Sequence, residues 1–276
     1  MKIWSLLSVK EIASIQAHNY PILPNLLEIA HDGDIITGAY GDPFIKRWKV
    51  SHPTSCFPIL TLLFSFDTGQ DSIQCFTLLD NDKQLASGAV DYSITIFDII
   101  FGTLIKTIPA SDNAMSLISI SSGKHIAAGL SESVIIYDVT TEAVILQCDN
   151  DNGYVSYLFQ LNDNILLSGS FDGPVNMWDI SIPSSNSVER SVHVLTRHSD
   201  RVHGLALLEG EEDLIVSSSD DGTIKVWTVT TGKCIDTWSL RRDDIEQKFS
   251  SVFVLGDGRS IASGLRDGTI IIWKEG

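Results

Sequence analysis

The sequence has few cysteines and no long apolar runs, and each shortage argues against a class of protein. Its four cysteines are far apart and form no Cys-x-x-Cys pair, so they are interpreted as small core residues in a reducing compartment. No apolar run approaches the ~20 residues of a membrane span. The first residues lack the apolar stretch and cleavage site of a secretory signal. We therefore expect a cytoplasmic protein, with a nuclear location as the alternative, and no membrane association.

Basic residues are also scarce. The 276 residues contain 19 Lys and Arg against 35 Asp and Glu, a formal net charge of −16. A surface of this sign repels phosphate backbones, so nucleic acid is not an expected partner. Hydrophobic residues at 43% and charged residues at 20% are typical of a globular domain with a large core.

One short phrase occurs repeatedly along the chain. Residues 217–227 read Ser-Ser-Ser-Asp-Asp-Gly-Thr-Ile-Lys-Val-Trp, and related phrases occupy residues 87–97, 168–178 and 263–273. Asp-Gly between two apolar runs is a strong hairpin signal, because primed turns need positive φ at their central residues. The phrase therefore predicts a strand, a tight turn and a second strand that ends on an aromatic residue.

The closing aromatic residues set the length of the repeat. They are spaced 40 to 49 residues apart, at Trp4, Trp48, Phe97, Tyr137, Trp178, Trp227 and Trp273. A period near 40–45 residues with four short strands per unit is typical of a propeller blade. We predict an all-β chain with almost no helix, folded as a single β-propeller domain over residues 1–276.

These repeats resemble those of the WD-repeat family, and the resemblance covers essentially the whole chain. The Trp-Asp dipeptide itself occurs at Trp178-Asp179, while residues 97–98 and 137–138 keep the Asp after another aromatic. The resemblance implies four-stranded blades, six complete and a partial seventh at the N-terminus. Two arrangements stay open. In a six-bladed ring, residues 11–16 complete the last blade and Met1–Ser5 is peripheral; in a seven-bladed ring, the first two strands are missing.

The resemblance also implies a hydrogen-bond tetrad of His, Ser or Thr, Asp and Trp in each regular blade. Asp occurs six residues before the aromatic in five units, whereas a matching His occurs only twice. Two full tetrads are therefore expected, formed by His18, Thr37, Asp42 and Trp48, and by His198, Ser217, Asp221 and Trp227.

Catalytic and metal-binding patterns are not found. The repeated Asp occurs once per unit, whereas catalytic carboxylates occur as single pairs. The sequence contains no His-x-His, His-Glu-x-x-His, Gly-x-Ser-x-Gly or Walker pattern. We predict no enzymatic activity, no cofactor and no metal.

Function is therefore expected on loops at one end of the blades. The resemblance implies docking of partner proteins or peptides on the face that carries the Asp turns, within a larger complex. Aromatic and arginine side chains suit such an interface, and the candidates are Tyr40, Tyr154, Phe171, Arg201, Arg241 and Arg266. The alternative is a substrate-recognition propeller of a ubiquitin-ligase or kinase assembly.

The last two units concentrate cations at the same predicted end. Arginines at positions 197, 201, 241, 242 and 266 and the lysine at position 248 suit an acidic or phosphorylated peptide, although acidic residues are interleaved with them. The repeats do not constrain Asp220, so we expect this residue on the exposed rim, where it would contribute to recognition.

Overall fold

The computed structural model describes residues 1–5, 10–14, 16–19, 22, 24–51, 58–70, 72–79, 82–149, 153–181, 191–208, 213–239, 241–242, 245–246 and 248–274. The chain divides into two compact units, Met1–Lys124 and His125–Gly276, which are described separately. The expectation of a single domain stays a prediction.

The first unit consists of short strands and two helical turns. Its elements are β1 (Lys2–Ser5), β2 (Lys10–Ser14), η1 (Pro24–Leu26), β3 (Leu27–Ile29), β4 (Ile35–Ala39), β5 (Asp42–Ser51), β6 (Ile59–Asp67), β7 (Ile73–Leu79), β8 (Gln84–Ala89), β9 (Ser93–Asp98), β10 (Thr103–Pro109), β11 (Ser116–Ile120) and η2 (Ser121–Gly123). Both η elements are three-residue 3-10 turns. These two turns are the helical elements among the described residues, and neither is long enough to cross a membrane.

The second unit contains only strands among its described residues. They are β12 (His125–Gly129), β13 (Ser133–Asp138), β14 (Val144–Asp149), β15 (Val155–Asn162), β16 (Ile165–Ser170), β17 (Val175–Asp179), β18 (Ser191–Leu195), β19 (Val202–Leu207), β20 (Leu214–Ser219), β21 (Thr223–Thr228), β22 (Lys233–Ser239), β23 (Arg241–Arg242), β24 (Ile245–Glu246), β25 (Phe249–Val254), β26 (Ile261–Leu265) and β27 (Ile270–Trp273).

The strands form antiparallel blades in chain order. Five blades have four strands each, β3 to β6, β7 to β10, β11 to β14, β15 to β18 and β19 to β22, and a sixth has three described strands, β25 to β27. Strands β23 and β24 form a separate two-residue ladder. The prediction of an all-β chain of propeller blades is confirmed.

In each four-stranded blade, the pairing between the third and the fourth strand shifts register at the closing aromatic residue. In this pairing the third strand shifts register beside Trp48, Phe97, Tyr137, Trp178 or Trp227. The N-terminal pair β1 and β2 has the same shift, between Ile3 and Trp4. Strands β1 and β2 are thus paired like the third and fourth strands of a blade. They match the partial seventh unit expected at the N-terminus, and the expectation that Met1–Ser5 is peripheral stays a prediction.

The core of each unit lies between the faces of its sheets. Strands β8 and β9 are buried along nearly their whole length, whereas the outer strand β10 is mostly exposed. Stacked blades cover both faces of the inner strands, so these strands are apolar without alternation. Leu26, Ile36 and Phe76 belong to one buried cluster of the first unit. This rigid packing holds the turns at the ends of the blades, where the candidate site lies.

Candidate functional site

A chain of hydrogen bonds links four residues of the blade formed by β19 to β22. The Trp227 indole N–H donates to Ser217 Oγ at 2.8 Å, and His198 Nε2 lies 2.7 Å from the same oxygen. His198 Nδ1 lies 2.8 Å from Asp221 Oδ2. With a proton on Nδ1, the imidazole donates to Asp221 and accepts from the Ser217 hydroxyl, so every polar atom of this chain is satisfied.

The first unit contains the same arrangement. His18 Nδ1 lies 2.7 Å from Asp42 Oδ2, and His18 Nε2 lies 2.9 Å from Thr37 Oγ1. The Trp48 indole N–H donates to Thr37 Oγ1 at 2.9 Å. Both histidine side chains have no exposed area. In each case a buried network fastens the loop before the blade to the turn that carries the Asp.

Asp221 accepts further bonds from the Thr223 N–H and hydroxyl of its own turn at 2.9 and 2.6 Å, and from the Ser199 N–H of the loop before the blade at 3.1 Å. Burial by itself would raise the pKa of this carboxyl, but the His198 and Thr223 bonds outweigh burial and hold the pKa far below its usual range. Asp221 is therefore a firmly ionised acceptor, which suits a structural role.

One member of this pattern was missed in the sequence. In the blade formed by β7 to β10, Gln70 occupies the place of the histidine. Its amide N–H₂ donates to Ser93 Oγ at 2.9 Å and to Thr95 Oγ1 at 3.1 Å, while Ser87 donates to its carbonyl oxygen. Gln70 stands 17 residues before the strand serine, whereas His198 stands 19 before its own, so neither residue type nor spacing identified it.

Three of the predicted docking residues meet at one end of the second unit. Tyr154 and Phe171 pack edge to face with ring centroids 5.8 Å apart. The Arg201 guanidinium lies over the Phe171 ring, 3.9 Å from its centroid, a cation–π contact. Loops that enter first strands and turns between second and third strands lie at the same end of an antiparallel sheet, which brings these three together. We call them the aromatic–arginine cluster.

Main-chain hydrogen bonds fasten these loops to the turns. The Phe171 N–H donates to the Tyr154 carbonyl at 2.9 Å, and the Asp220 N–H donates to the Arg201 carbonyl at 2.9 Å. Burial lowers the pKa of Arg201, Asp220 opposes this change and Arg266 adds to it. The cluster is thus held on ordered backbone with its guanidinium partly desolvated, where cation–π and ionic contacts are stronger than in water.

The sequence-based expectation for Asp220 was wrong. Its side chain is 6% exposed rather than free on the rim, because it lies beneath Arg266 and beside His203. The Arg266 guanidinium donates to Asp220 Oδ2, and His203 Nε2 lies 3.0 Å from the same oxygen. Burial lowers the pKa of His203, Asp220 opposes this change and Arg201 adds to it. Asp220 is therefore a buried counter-charge that positions Arg266.

Two of the six expected cations are paired with carboxylates among the described residues. Arg266 is bound to Asp220, and Lys248 Nζ lies 3.5 Å from Asp200 Oδ2. Arg241 lies on β23, and its side chain lies outside the described residues. Tyr40 lies in the first unit, where it is 49% exposed. Among the described residues, no group of three or more His, Cys, Asp or Glu side chains could hold a metal ion.

Known proteins are similar to parts of this chain. The family profile described as "WD40: WD domain, G-beta repeat" matches residues 189–228 and 232–274. "Mitochondrial division protein 1" of Schizosaccharomyces pombe is 24% identical over 205 residues, which are 63% of this chain and 31% of that protein. "Zinc finger CCCH domain-containing protein 62" of Arabidopsis thaliana is 28% identical over 193 residues, 70% of this chain and 45% of that protein.

A third relative is "Target of rapamycin complex subunit wat1" of Schizosaccharomyces pombe, 24% identical over 194 residues, 69% of this chain and 58% of that protein. The chain thus spans between about a third and three fifths of these relatives. WD-repeat propellers generally serve as protein-interaction scaffolds. The blades, their Ser–Trp hydrogen bonds and the two matched segments agree with one another, and the chain is similar in fold and in these repeats to WD-repeat proteins.

Proposed function

We propose that this chain is a non-catalytic scaffold that docks a protein partner on the aromatic–arginine cluster of its second unit. The observation that carries the proposal is the stack of Tyr154, Phe171 and Arg201. Tyr154 is 43% exposed, so an apolar surface with a cation at its edge faces solvent. Tyrosine and arginine are enriched among interface hot spots, and an aromatic ring buries a large area with only two torsions to freeze.

Buried charge beside the stack supports this choice of surface. Asp220 holds Arg266 in place, and Arg266 stays 54% exposed at its side chain. A partner would therefore meet a preorganised surface, which reduces the ordering cost of binding. One relative carries the name of a complex subunit, and we propose that this chain likewise acts within a larger assembly in the cytoplasm.

Affinity capture with matched variants tests the proposal. The full chain, a Tyr154→Ala/Phe171→Ala variant and a Phe253→Ala variant are used as baits, and recovered proteins are quantified by mass spectrometry. Phe253 is a matched control because it is an aromatic residue that is 68% exposed near the other end of β25. We expect the double variant to lose the main partner and the control variant to retain it.

A purified pair then gives the decisive measurement. The Kd of the reconstituted complex should rise at least ~10-fold in the double variant, as expected for hot-spot truncation, with a Tm close to that of the parent. Equal affinity of the parent and the double variant would refute this docking surface. Loss of the partner in the Phe253→Ala variant alone would move the surface to the other end of the blades.

A second candidate is recognition of an acidic or phosphorylated peptide, as in a substrate receptor of a ubiquitin-ligase or kinase assembly. The observation that favours it is Arg201, whose buried Nε has no hydrogen-bond partner among the described residues. Against it, Arg266 already binds a carboxylate. If this candidate is correct, a phosphorylated partner peptide should bind at least ~10-fold more tightly than its unmodified form, with strong salt dependence.

A further inference from the structure

The first unit contains a polar cavity that the docking surface does not use. Its volume is about 330 Å³, and the side chains of Glu28, His31, Asp82, Ser119 and Ser122 lie along it. These residues lie on first strands or on the turns that follow them, at the end of the unit away from its Asp turns. Ligand cavities span about 300–1,000 Å³, so this one lies at the lower end of that range and has room for one side chain.

Two carboxylates give the cavity its chemistry. Glu28 Oε2 accepts the Leu78 N–H at 2.9 Å, which fixes the carboxylate against the neighbouring blade. Asp82 Oδ2 accepts the His31 N–H at 2.5 Å and lies 2.8 Å from His31 Nδ1. The Asp82 side chain is only 12% exposed, whereas that of His31 is 83% exposed. Both acids are therefore held in place by neighbours, with His31 at the mouth of the cavity.

No lysine or arginine side chain neutralises the two acids of the cavity among the described residues. Within the described part of the chain, no lysine or arginine nitrogen pairs with Glu28 or Asp82. Lys83 and Lys124, which are near the cavity in sequence, are exposed. Burial raises the pKa of Glu28 to about 7; the bonds from Leu78 and Thr77 oppose this change, and the charge of Asp82 adds to it. Ionised Glu28 is thus costly without a counter-ion, and a bound cation would relieve that cost.

We propose that this cavity binds an arginine side chain from an extended segment of a protein partner. A guanidinium carries five N–H donors in a planar fork, enough to reach Glu28, Asp82 and a serine hydroxyl together. An ammonium group offers three donors around one point, fewer than the five of a guanidinium. Ile29, which is 68% exposed and lines the cavity, provides apolar contact for the methylene stem of the arginine.

The proposal is tested on the full chain with N-acetyl-L-arginine amide as the probe. The ¹⁵N-labelled protein is titrated while the amide resonances of Leu78 and His31 are followed, because both N–H groups donate to the carboxylates. N-acetyl-L-citrulline amide, which has the same shape without the charge, is the matched probe. We expect saturable shifts with the arginine probe and at least ~10-fold weaker binding of the citrulline probe.

Variants assign the binding to the carboxylates. Glu28→Gln keeps an acceptor for the Leu78 N–H, so it should fold, and it should weaken the arginine probe at least ~10-fold. Asp82→Asn provides a second, independent removal of charge. Glu132→Gln is the control, because Glu132 is an exposed acid outside the cavity, and this variant should bind the probe as the parent does.

The pH dependence gives a separate readout. Affinity for the arginine probe should rise by up to about 10-fold between pH 6 and pH 8 as Glu28 ionises. The other titratable groups near Glu28 are Asp82, His31 and Cys75, and a His31→Gln variant removes the exposed one. Calorimetry in two buffers of different ionisation enthalpy should detect proton release on binding near pH 7.

Three results would overturn the proposal. They are equal shifts with both probes, unchanged binding in both carboxylate variants, and the same shifts with submillimolar Ca²⁺, which would indicate a metal site instead. The proposal is separate from docking on the aromatic–arginine cluster, because Tyr154→Ala/Phe171→Ala should leave the arginine titration unchanged.

Discussion

Replacement of Asp221 by alanine tests whether the hydrogen-bond tetrad stabilises the fold. The substitution removes the 2.8 Å acceptor of the fully buried His198 Nδ1–H and leaves only Thr223 Oγ1, 3.3 Å away, and it also removes the acceptor of the Ser199 and Thr223 N–H groups. An unsatisfied buried donor costs about 1–3 kcal/mol, and donors near the surface cost less. We therefore expect a loss of about 3–4 kcal/mol in the free energy of unfolding.

Thermal and urea unfolding measure this loss. For a chain of this size each kcal/mol corresponds to about 2–4 °C, so Tm should fall by about 6–16 °C. The matched control is Asp91→Ala, at the equivalent repeat position, where the exposed carboxylate accepts bonds from Ser93 at 3.1 and 2.6 Å. That variant should lose less than ~1 kcal/mol. Equal losses in the two variants would refute a stabilising role for the tetrad.

A pH series adds an independent check on the same carboxylate. The pKa of Asp221 is depressed in the folded protein, so its stabilisation is present above the ordinary value of 3.8 and is lost as the pH falls below it. The stability difference between the parent and Asp221→Asn should therefore shrink on acidification. A difference that stayed constant from pH 7 to pH 3 would contradict the assigned cause.

Two further predictions concern single positions. Gly173 has φ +103°, and an added Cβ would collide with the His198 carbonyl. Gly173→Ala should therefore lower the free energy of unfolding by at least ~2 kcal/mol in a urea titration. The control Gly268→Ala, with φ +86° and open space around the Cβ, should lower it by only about 1 kcal/mol, and equal losses would disprove the steric cause. The pKa of Glu28 is raised from 4.5 to about 7 in the folded protein, so the parent loses stability as the pH rises and Glu28 ionises. Between pH 5 and pH 8 the free energy of unfolding of Glu28→Gln should therefore increase by up to ~3 kcal/mol relative to the parent. A difference that does not change with pH would contradict this linkage.

The repeat could be predicted from sequence because its determinants are local. The turn Asp and the aromatic six residues after it lie within a single hairpin, so their spacing is kept in five units. The tetrad of His198, Ser217, Asp221 and Trp227 was predictable for the same reason. Gln70 was not, because a different side chain at a different spacing makes equivalent bonds with Ser87.

The docking residues were only partly predictable. Strand order places Tyr154, Phe171 and Arg201 at one end of their blades, and this could be reasoned from alternation of strand direction. Their mutual stacking depends on loop conformation, and the burial of Asp220 depends on Arg266, which is 46 residues away in the sequence. A contact between residues so far apart in the sequence leaves no pattern by which one sequence alone could reveal it.

The sequence by itself determined the blades, their aromatic closures and the two histidine tetrads, because each depends on residues within one repeat. Only the tertiary structure decided which charges are free. It paired Arg266 with Asp220, and it enclosed Glu28 and Asp82 in one cavity although 54 positions separate them in the sequence. The physical reason is that burial and the distance between charges, which set the energy of an ionised group, arise only when separate blades pack together.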